Sequence, residues 1–285
     1  MPIHLSPLRY PGGKAKFSGF LSEIVKINNP INVYVEPYAG GAGAALSLLY
    51  NNNVNQVIIN DIDTHVYLFW KLLFENTDEL IAKVKEVKPT LKNFYHYKEV
   101  YMSDGKNVSE LERGFSAFFL NRTTRSGILT GGPIGGNKQE SKWKIDCRFN
   151  KENLIKRIKL ISQFKDRVLI FNLDAITLMK KLINDQPDQV EKTLFYLDPP
   201  YVEKGKDLYK QNYDLSDHEN LNNYLKKLIG VKWVLSYDDV NLIRNLYQDI
   251  KLNGLMVNHF ASKAKVGKEL LIFSDDCNSS MPEKN

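Results

Sequence analysis

Asn32-Val-Tyr-Val-Glu36-Pro-Tyr-Ala-Gly40-Gly-Ala-Gly43 is the stretch that decides the fold. Its first five residues are a β-branched and aromatic run, the composition of a short strand, and Pro37 with the glycine cluster ends it. Helix formers with an apolar face follow at 44–51, and Gln56-Val-Ile-Ile-Asn60 reads as a second strand running into Asp61. Strand, turn, helix and strand over 30–62 make a βαβ unit, which implies parallel strands with helices laid over them.

The alternation returns later in the chain. Residues 154–164 read as a helix, Val168-Leu-Ile-Phe171 as a strand ending near Asp174, and 175–182 as a helix. Thr193-Leu-Phe-Tyr-Leu197 is a strand running into Asp198-Pro-Pro-Tyr201. Ser216 with Glu219 three residues on is read as a capping box for a helix through Leu228. Lys232-Trp-Val-Leu-Ser-Tyr237 is the next strand, and 254–260 and 269–274 are strand-like pieces around a Lys-rich turn. Between the halves the period is helical: Val66, Leu68, Phe69, Leu72 and Leu73, then Leu80, Val84 and Val87, then Leu111, Phe115, Phe118 and Phe119. The expected fold is α/β: an open, mixed, mostly parallel sheet with helices on both faces. Residues 1–62 and 153–285 would form one domain, interrupted by a mainly helical insertion at 63–152.

The 285 residues are 43% apolar and 25% charged, so a large core is available. Lys and Arg number 39 against 33 Asp and Glu, and much of the excess is local. Over 121–151 regular structure fades and glycines recur. There Arg122, Arg125, Lys138, Lys142, Lys144, Arg148 and Lys151 face only Glu140 and Asp146. A glycine-rich basic loop of this length is usually functional or mobile, and concentrated positive charge suits a polyanion. Two cysteines, Cys147 and Cys277, exclude a disulfide framework, and no apolar run is long enough for a membrane span. The expected setting is a reducing cytoplasm. His4, His65, His96, His218 and His259 are scattered without paired ligand spacing, so no metal is expected.

Two strand ends carry the chemistry. At the first, Gly40, Gly41 and Gly43 let a ligand approach the backbone, while Glu36 and Tyr38 flank the turn. Asp61, ending the neighbouring strand, is suited to accept hydrogen bonds from both ribose hydroxyls of an adenosine. The glycine spacing matches neither the dinucleotide fingerprint nor a phosphate-binding loop. At the second, Pro199 and Pro200 have no N–H and leave carbonyls as pure acceptors. The Asp198 carboxylate and a nearby carbonyl can take both hydrogens of an exocyclic amine, and Tyr201 offers a face for a planar ring.

These pieces, in this order, resemble amino-methyltransferases that use S-adenosyl-L-methionine. Arg9-Tyr-Pro-Gly-Gly-Lys14 resembles the Lys-Trp-Ala-Gly-Gly-Lys segment of the Dam-like, alpha-type DNA adenine-N6 methyltransferases. Leu120-Asn-Arg122 is similar to the Leu-Asn-Arg that opens that family's DNA-reading region. Leu235-Ser-Tyr-Asp-Asp239 and Lys265-Val-Gly-Lys-Glu-Leu270 resemble its late segments. The resemblance implies a Rossmann-like, site-specific enzyme that methylates N6 of a flipped adenine in duplex DNA. Asp198, Pro199, Pro200 and Tyr201 would be its catalytic turn. The cofactor set would be Tyr10, Lys14, Glu36, Tyr38, Gly40, Gly41, Gly43, Asp61, Asp174 and Asp198. Arg9, Asn121, Arg122, Arg125 and Lys138 would face DNA. The resemblance further implies a bacterial or phage protein acting as a monomer, with a cognate restriction endonuclease, where there is one, acting separately.

Departures fall in the reading region. The family's Asn-Arg-x-Gly-x-Asn-Gly is here Asn121-Arg-Thr-Thr-Arg-Ser-Gly127, and Arg9 stands where relatives have a DNA-contacting Lys. The target sequence is therefore not carried over. Cytosine C5 methylation is excluded because neither cysteine follows a proline. N4-cytosine methylation remains as an alternative, since the same turn suits any exocyclic ring amine. A non-catalytic DNA-binding module on the same fold is the other.

Overall fold

The computed structural model describes residues 5–10, 17–103, 107–202, 213–250, 257–259 and 267–279. Among them run the strands β1 (Val33–Glu36), β2 (Gln56–Asn60), β3 (Val168–Phe171), β4 (Thr193–Leu197), β5 (Lys232–Asp238), β6 (Val257–His259) and β7 (Gly267–Phe273). They form one seven-stranded sheet in the order β3-β2-β1-β4-β5-β7-β6. The five strands from β3 to β5 pair in parallel, and β7 lies antiparallel to both β5 and β6. The expected mixed, mostly parallel sheet is what the chain forms.

Side-chain alternation builds two cores. Tyr34, Val57, Ile59, Leu194 and Tyr196 face one, while Val35, Ile58, Phe195 and Leu197 face the other. Strands buried on both faces explain why these runs read as continuously apolar. The first face is covered by α1 (Ser18–Ile27), α2 (Gly43–Tyr50), α3 (Thr64–Glu75), α4 (Thr77–Glu86), α5 (Leu91–Met102), α6 (Glu110–Thr123) and α7 (Lys151–Ser162). The second is covered by α8 (Ala175–Asp185), α9 (Leu215–Leu225) and α10 (Asn241–Leu246). The four helices over 64–123 thus share their core with one face of the sheet.

Strand order sets where the site lies. From β1 the chain steps outward to β2 and β3, then returns to β4 on the other side of β1. Order reverses between β1 and β4, and in open α/β sheets ligands bind beyond the carboxyl ends of the strands at such a reversal. Both candidate turns leave the sheet there.

One helix start differs from expectation. The cap of α9 is Asp214, not Ser216: its side chain accepts from the Asp217 N–H, and the Asp217 carboxylate accepts from the Asp214 N–H. Ser216 instead donates to Asp214 at 2.7 Å, and the helix ends at Leu225. The helix starts two residues earlier, in register with buried His218, Leu221, Asn222 and Leu225. Aspartate caps as well as serine, so burial decides the frame. Of the expected strand at 254–260, only 257–259 lies within the described residues.

Candidate active site

The turn after β1 is fixed from four sides. Glu36 is buried, and its Oε1 accepts from the Ala45 N–H (2.9 Å) and from the Tyr34 hydroxyl (3.2 Å). A carboxylate at the first turn of α2 satisfies an end donor and complements the helix dipole. Asn60, at the end of β2, donates to the Pro37 and Leu173 carbonyls, both at 2.8 Å, and accepts from the Leu173 N–H. It thereby joins the turns after β1 and β3. Trp70 of α3 donates through Nε1 to the Gly40 carbonyl at 2.9 Å. The ring of Tyr10 lies against Gly40, whose φ is 46°; a Cβ there would meet the ring at 2.8 Å. Only glycine lets Tyr10 close on this turn.

Asp61 faces the same turn. Its Oδ2 accepts from the Gly40 N–H and its Oδ1 from the Asp63 N–H, each at 2.9 Å. Burial, then the nearby Asp63 charge, raise its pKa from 3.8 to about 7, against the lowering effect of the two backbone donors. A carboxyl set in a turn of backbone donors, with no cation acting on it among the described residues, is an acceptor suited to ribose hydroxyls. Asp174, at the end of β3, caps α8 by accepting from the Thr177 N–H at 3.0 Å, and its side chain is exposed. Lys14 lies outside the described residues. The turn, Tyr10 and Asp61 fit an adenosine-bearing cofactor.

Asp198 leaves β4 next door. Val35 of β1 pairs with Phe195 of β4, so Glu36 and Asp198 continue adjacent strands from the same edge. Ser236 of β5 donates to Asp198 Oδ1 at 2.8 Å and accepts from the Tyr196 hydroxyl at 3.0 Å. This buried chain fixes the carboxylate's orientation. Asp238, also buried, accepts from the Val202 N–H at 3.3 Å and holds the chain just past the prolines. Tyr201 is half-buried and hydrogen-bonds Glu269 through its hydroxyl. Burial first, then the Asp198 charge, raise its pKa far above the ordinary value, so it stays neutral. Tyr38 and Tyr213 share a hydroxyl–hydroxyl hydrogen bond at 3.0 Å, which ties the glycine turn to the start of α9.

The proposed DNA-facing residues divide into two groups. Every residue of α6 from Gly114 to Thr123 is buried, Asn121 and Arg122 included. Asn121 Oδ1 accepts from the Arg9 N–H and its Nδ2 donates to the Arg9 carbonyl, both at 2.6 Å, and to the Gly127 carbonyl at 3.1 Å. The Arg122 guanidinium donates through Nε (2.8 Å) and a terminal nitrogen to the Arg148 carbonyl. Burial, and behind it the charges of Arg9, Arg157 and Arg148, lower its pKa to about 9. In this arrangement both side chains bind backbone inside the protein, and only Arg125 and Lys138 stand exposed. Arg9 is half-buried, with its Nη1 unpartnered. Asn121 therefore joins the basic loop to the segment that carries Tyr10. Asn60, Trp70 and Ser236, which shape the two turns, carry no signal in the local sequence.

Residues 10–261 match the family described as D12 class N6 adenine-specific DNA methyltransferase. The chain is 26% identical over 294 aligned positions to the type II methyltransferase M.MjaIII of Methanocaldococcus jannaschii, covering 94% of this chain and 98% of that protein. Two structures of the rRNA methyltransferase AviRa of Streptomyces viridochromogenes align at 13% and 12% identity, with TM-scores of 0.39 and 0.40. They cover 96% and 94% of this chain and 90% and 88% of their own.

Proposed function

The chain belongs to the D12 class N6 adenine-specific DNA methyltransferases, and from that premise we propose how its residues divide the work. It transfers a methyl group to the N6 amino group of adenine at specific sites in DNA. The donor is S-adenosyl-L-methionine, held beyond β1 and β2. Asp61 would accept from its ribose hydroxyls, the turn at 36–43 would cradle its methionine part, Tyr10 would line its pocket with Lys14 as a further contact, and Asp174 would sit near its adenine ring. When bound, this cofactor supplies an electrophilic methyl group on a sulfonium. Asp198 and the Pro199 carbonyl accept the two hydrogens of the target amine and turn its lone pair outward, while Ser236 keeps the carboxylate aimed. Tyr201 stacks on the base.

The DNA is duplex, so the target adenine must leave the helix, which costs a few kcal/mol. Arg9, Arg125, Lys138 and the rest of the loop at 121–151 grip the duplex. Asn121 and Arg122 hold that loop in shape. We assign no membrane role, and among the described residues no helix is long and apolar enough to cross one. The enzyme works as a monomer in the cytoplasm, independently of any cognate restriction endonuclease.

One observation carries this reading: the glycine turn and the Asp198 turn leave neighbouring parallel strands at the point where sheet order reverses. The test is incubation with unmethylated plasmid DNA and methyl-labelled cofactor, followed by digestion to nucleosides. Label is expected in N6-methyladenine alone. Label in N4-methylcytosine, or none in DNA despite bound cofactor, overturns it.

A further inference from the structure

The loop at 121–151 holds a residue that the DNA-facing set above leaves out. Trp143 is 61% exposed, the largest apolar side chain left in water among the described residues. The other two tryptophans, Trp70 and Trp233, are 1% and 2% exposed. An exposed indole on a slack loop tip would mean little, but this loop is built. Gln139, in the left-handed region at φ 52°, donates through Nε2 to the Ile134 and Gly136 carbonyls. Its Oε1 accepts from the Ile145 N–H at 2.9 Å. One side chain thus staples the two limbs that flank Trp143. Ser141 donates to the Trp143 carbonyl at 2.7 Å. Two residues of α5 tie the loop down: Lys98 donates to the Leu129 and Gly131 carbonyls, and Tyr95 donates to Asn137.

The surroundings name the partner. Lys138, Lys142, Lys144 and Arg148 are all exposed, with Lys142 Nζ over the Trp143 ring at 5.6 Å from its centroid. Cations around an exposed aromatic face match a nucleic acid, whose phosphates need the charge and whose bases need the ring. We propose that Trp143 is a DNA-stacking residue, placed against a base of the duplex as the target adenine leaves it. This rests on the assignment of the loop to DNA. The lysines then supply attraction that any sequence feels, and Trp143 supplies contact with a base that extrusion has laid open. Aromatic stacking on a base is worth about ten- to hundredfold in affinity.

The experiment uses the full chain and a duplex oligonucleotide bearing the site that the wild-type enzyme methylates in plasmid DNA, with 2-aminopurine at the target position. Tryptophan emission of the wild type, less that of Trp143→Phe, isolates this indole. It should be quenched on adding the duplex. Trp143→Ala should keep the wild-type Tm, because the ring packs against little, yet lose about ten- to hundredfold in duplex affinity or in 2-aminopurine enhancement. Trp143→Phe, which keeps a ring, should recover most of that loss. Unquenched Trp143 emission, or wild-type affinity and extrusion in Trp143→Ala, overturns the inference while methylation by the wild type stands. A wild type that methylates no plasmid DNA instead overturns the functional reading beneath it.

Discussion

Acidification should release the cofactor through Asp61. Its carboxyl lies beneath the glycine turn, and burial together with Asp63 raises its pKa to about 7. Ribose hydroxyls donate best to the ionised form, so the ligand binds the deprotonated protein. With the free-state pKa near 7, affinity should be level above about pH 8 and fall about tenfold per pH unit below 7, each unit being worth about 1.4 kcal/mol. The assay is calorimetric titration of S-adenosylhomocysteine, the demethylated product, from about pH 8 to about pH 5.5. Asp61→Asn should remove this dependence and bind about thirtyfold more weakly at the alkaline end, from a lost charged hydrogen bond of about 2 kcal/mol. The ligand-free protein should respond with the opposite sign. A carboxyl whose folded pKa lies above its ordinary 3.8 stabilises the fold when protonated, and that stability is lost as pH rises through about 7. The same acidification that weakens binding therefore strengthens the empty fold at this group. Affinity that stays flat across the range in the wild type would refute the assignment of Asp61 to the ribose.

Four further substitutions test the loop and its tie to the turn. Asn121→Asp keeps shape but turns a carboxylate toward the Arg9 and Gly127 carbonyls, at a cost of about 3 kcal/mol. Calorimetry should show weaker cofactor binding because Tyr10 is no longer held, and unchanged affinity would separate the two sites. Gly127→Ala puts a Cβ 2.1 Å from the Arg9 carbonyl oxygen at a φ of 81°, with about 1–3 kcal/mol of backbone strain besides. Thermal denaturation should show a lower Tm, and an equal one would mean the Arg9 segment yields freely. Arg125→Ala should lower the salt dependence of DNA binding by about one phosphate contact, whereas Arg122→Ala should mainly lower Tm. Equal salt slopes in wild type and Arg125→Ala would remove that residue from the interface.

The two turns were legible because local chemistry dictates them. A β-branched and aromatic run stopped by Pro37 and glycines, and a leucine and aromatic run stopped by Asp198-Pro199-Pro200, read as strand ends in an alternating chain. What local pattern cannot encode is the direction in which a polar side chain points. Asn121 and Arg122 sit in a basic stretch and read as surface residues. Yet α6 is buried on every side over its last ten residues, from Gly114 to Thr123, so both turn inward and bind backbone. The α9 cap failed similarly, since Asp214 and Ser216 both suit a cap and only the burial of His218 and Leu221 decides between them. Asn60 and Ser236 bridge strands far apart in sequence, and such bridges exist only once the sheet has formed. Trp143 escaped because weighing the aromatics by helical spacing passes over the one that a loop presents.

The most direct test concerns the carboxylate that Ser236 holds. Single-turnover methyl transfer to plasmid DNA should be compared between the wild type and Asp198→Asn, with cofactor and DNA affinities measured alongside. Asparagine keeps the volume but places an amide where the target amine needs an acceptor. The account predicts transfer slowed by about a hundredfold or more, with both affinities within a few-fold of the wild type. Transfer within a few-fold of the wild-type rate would contradict it.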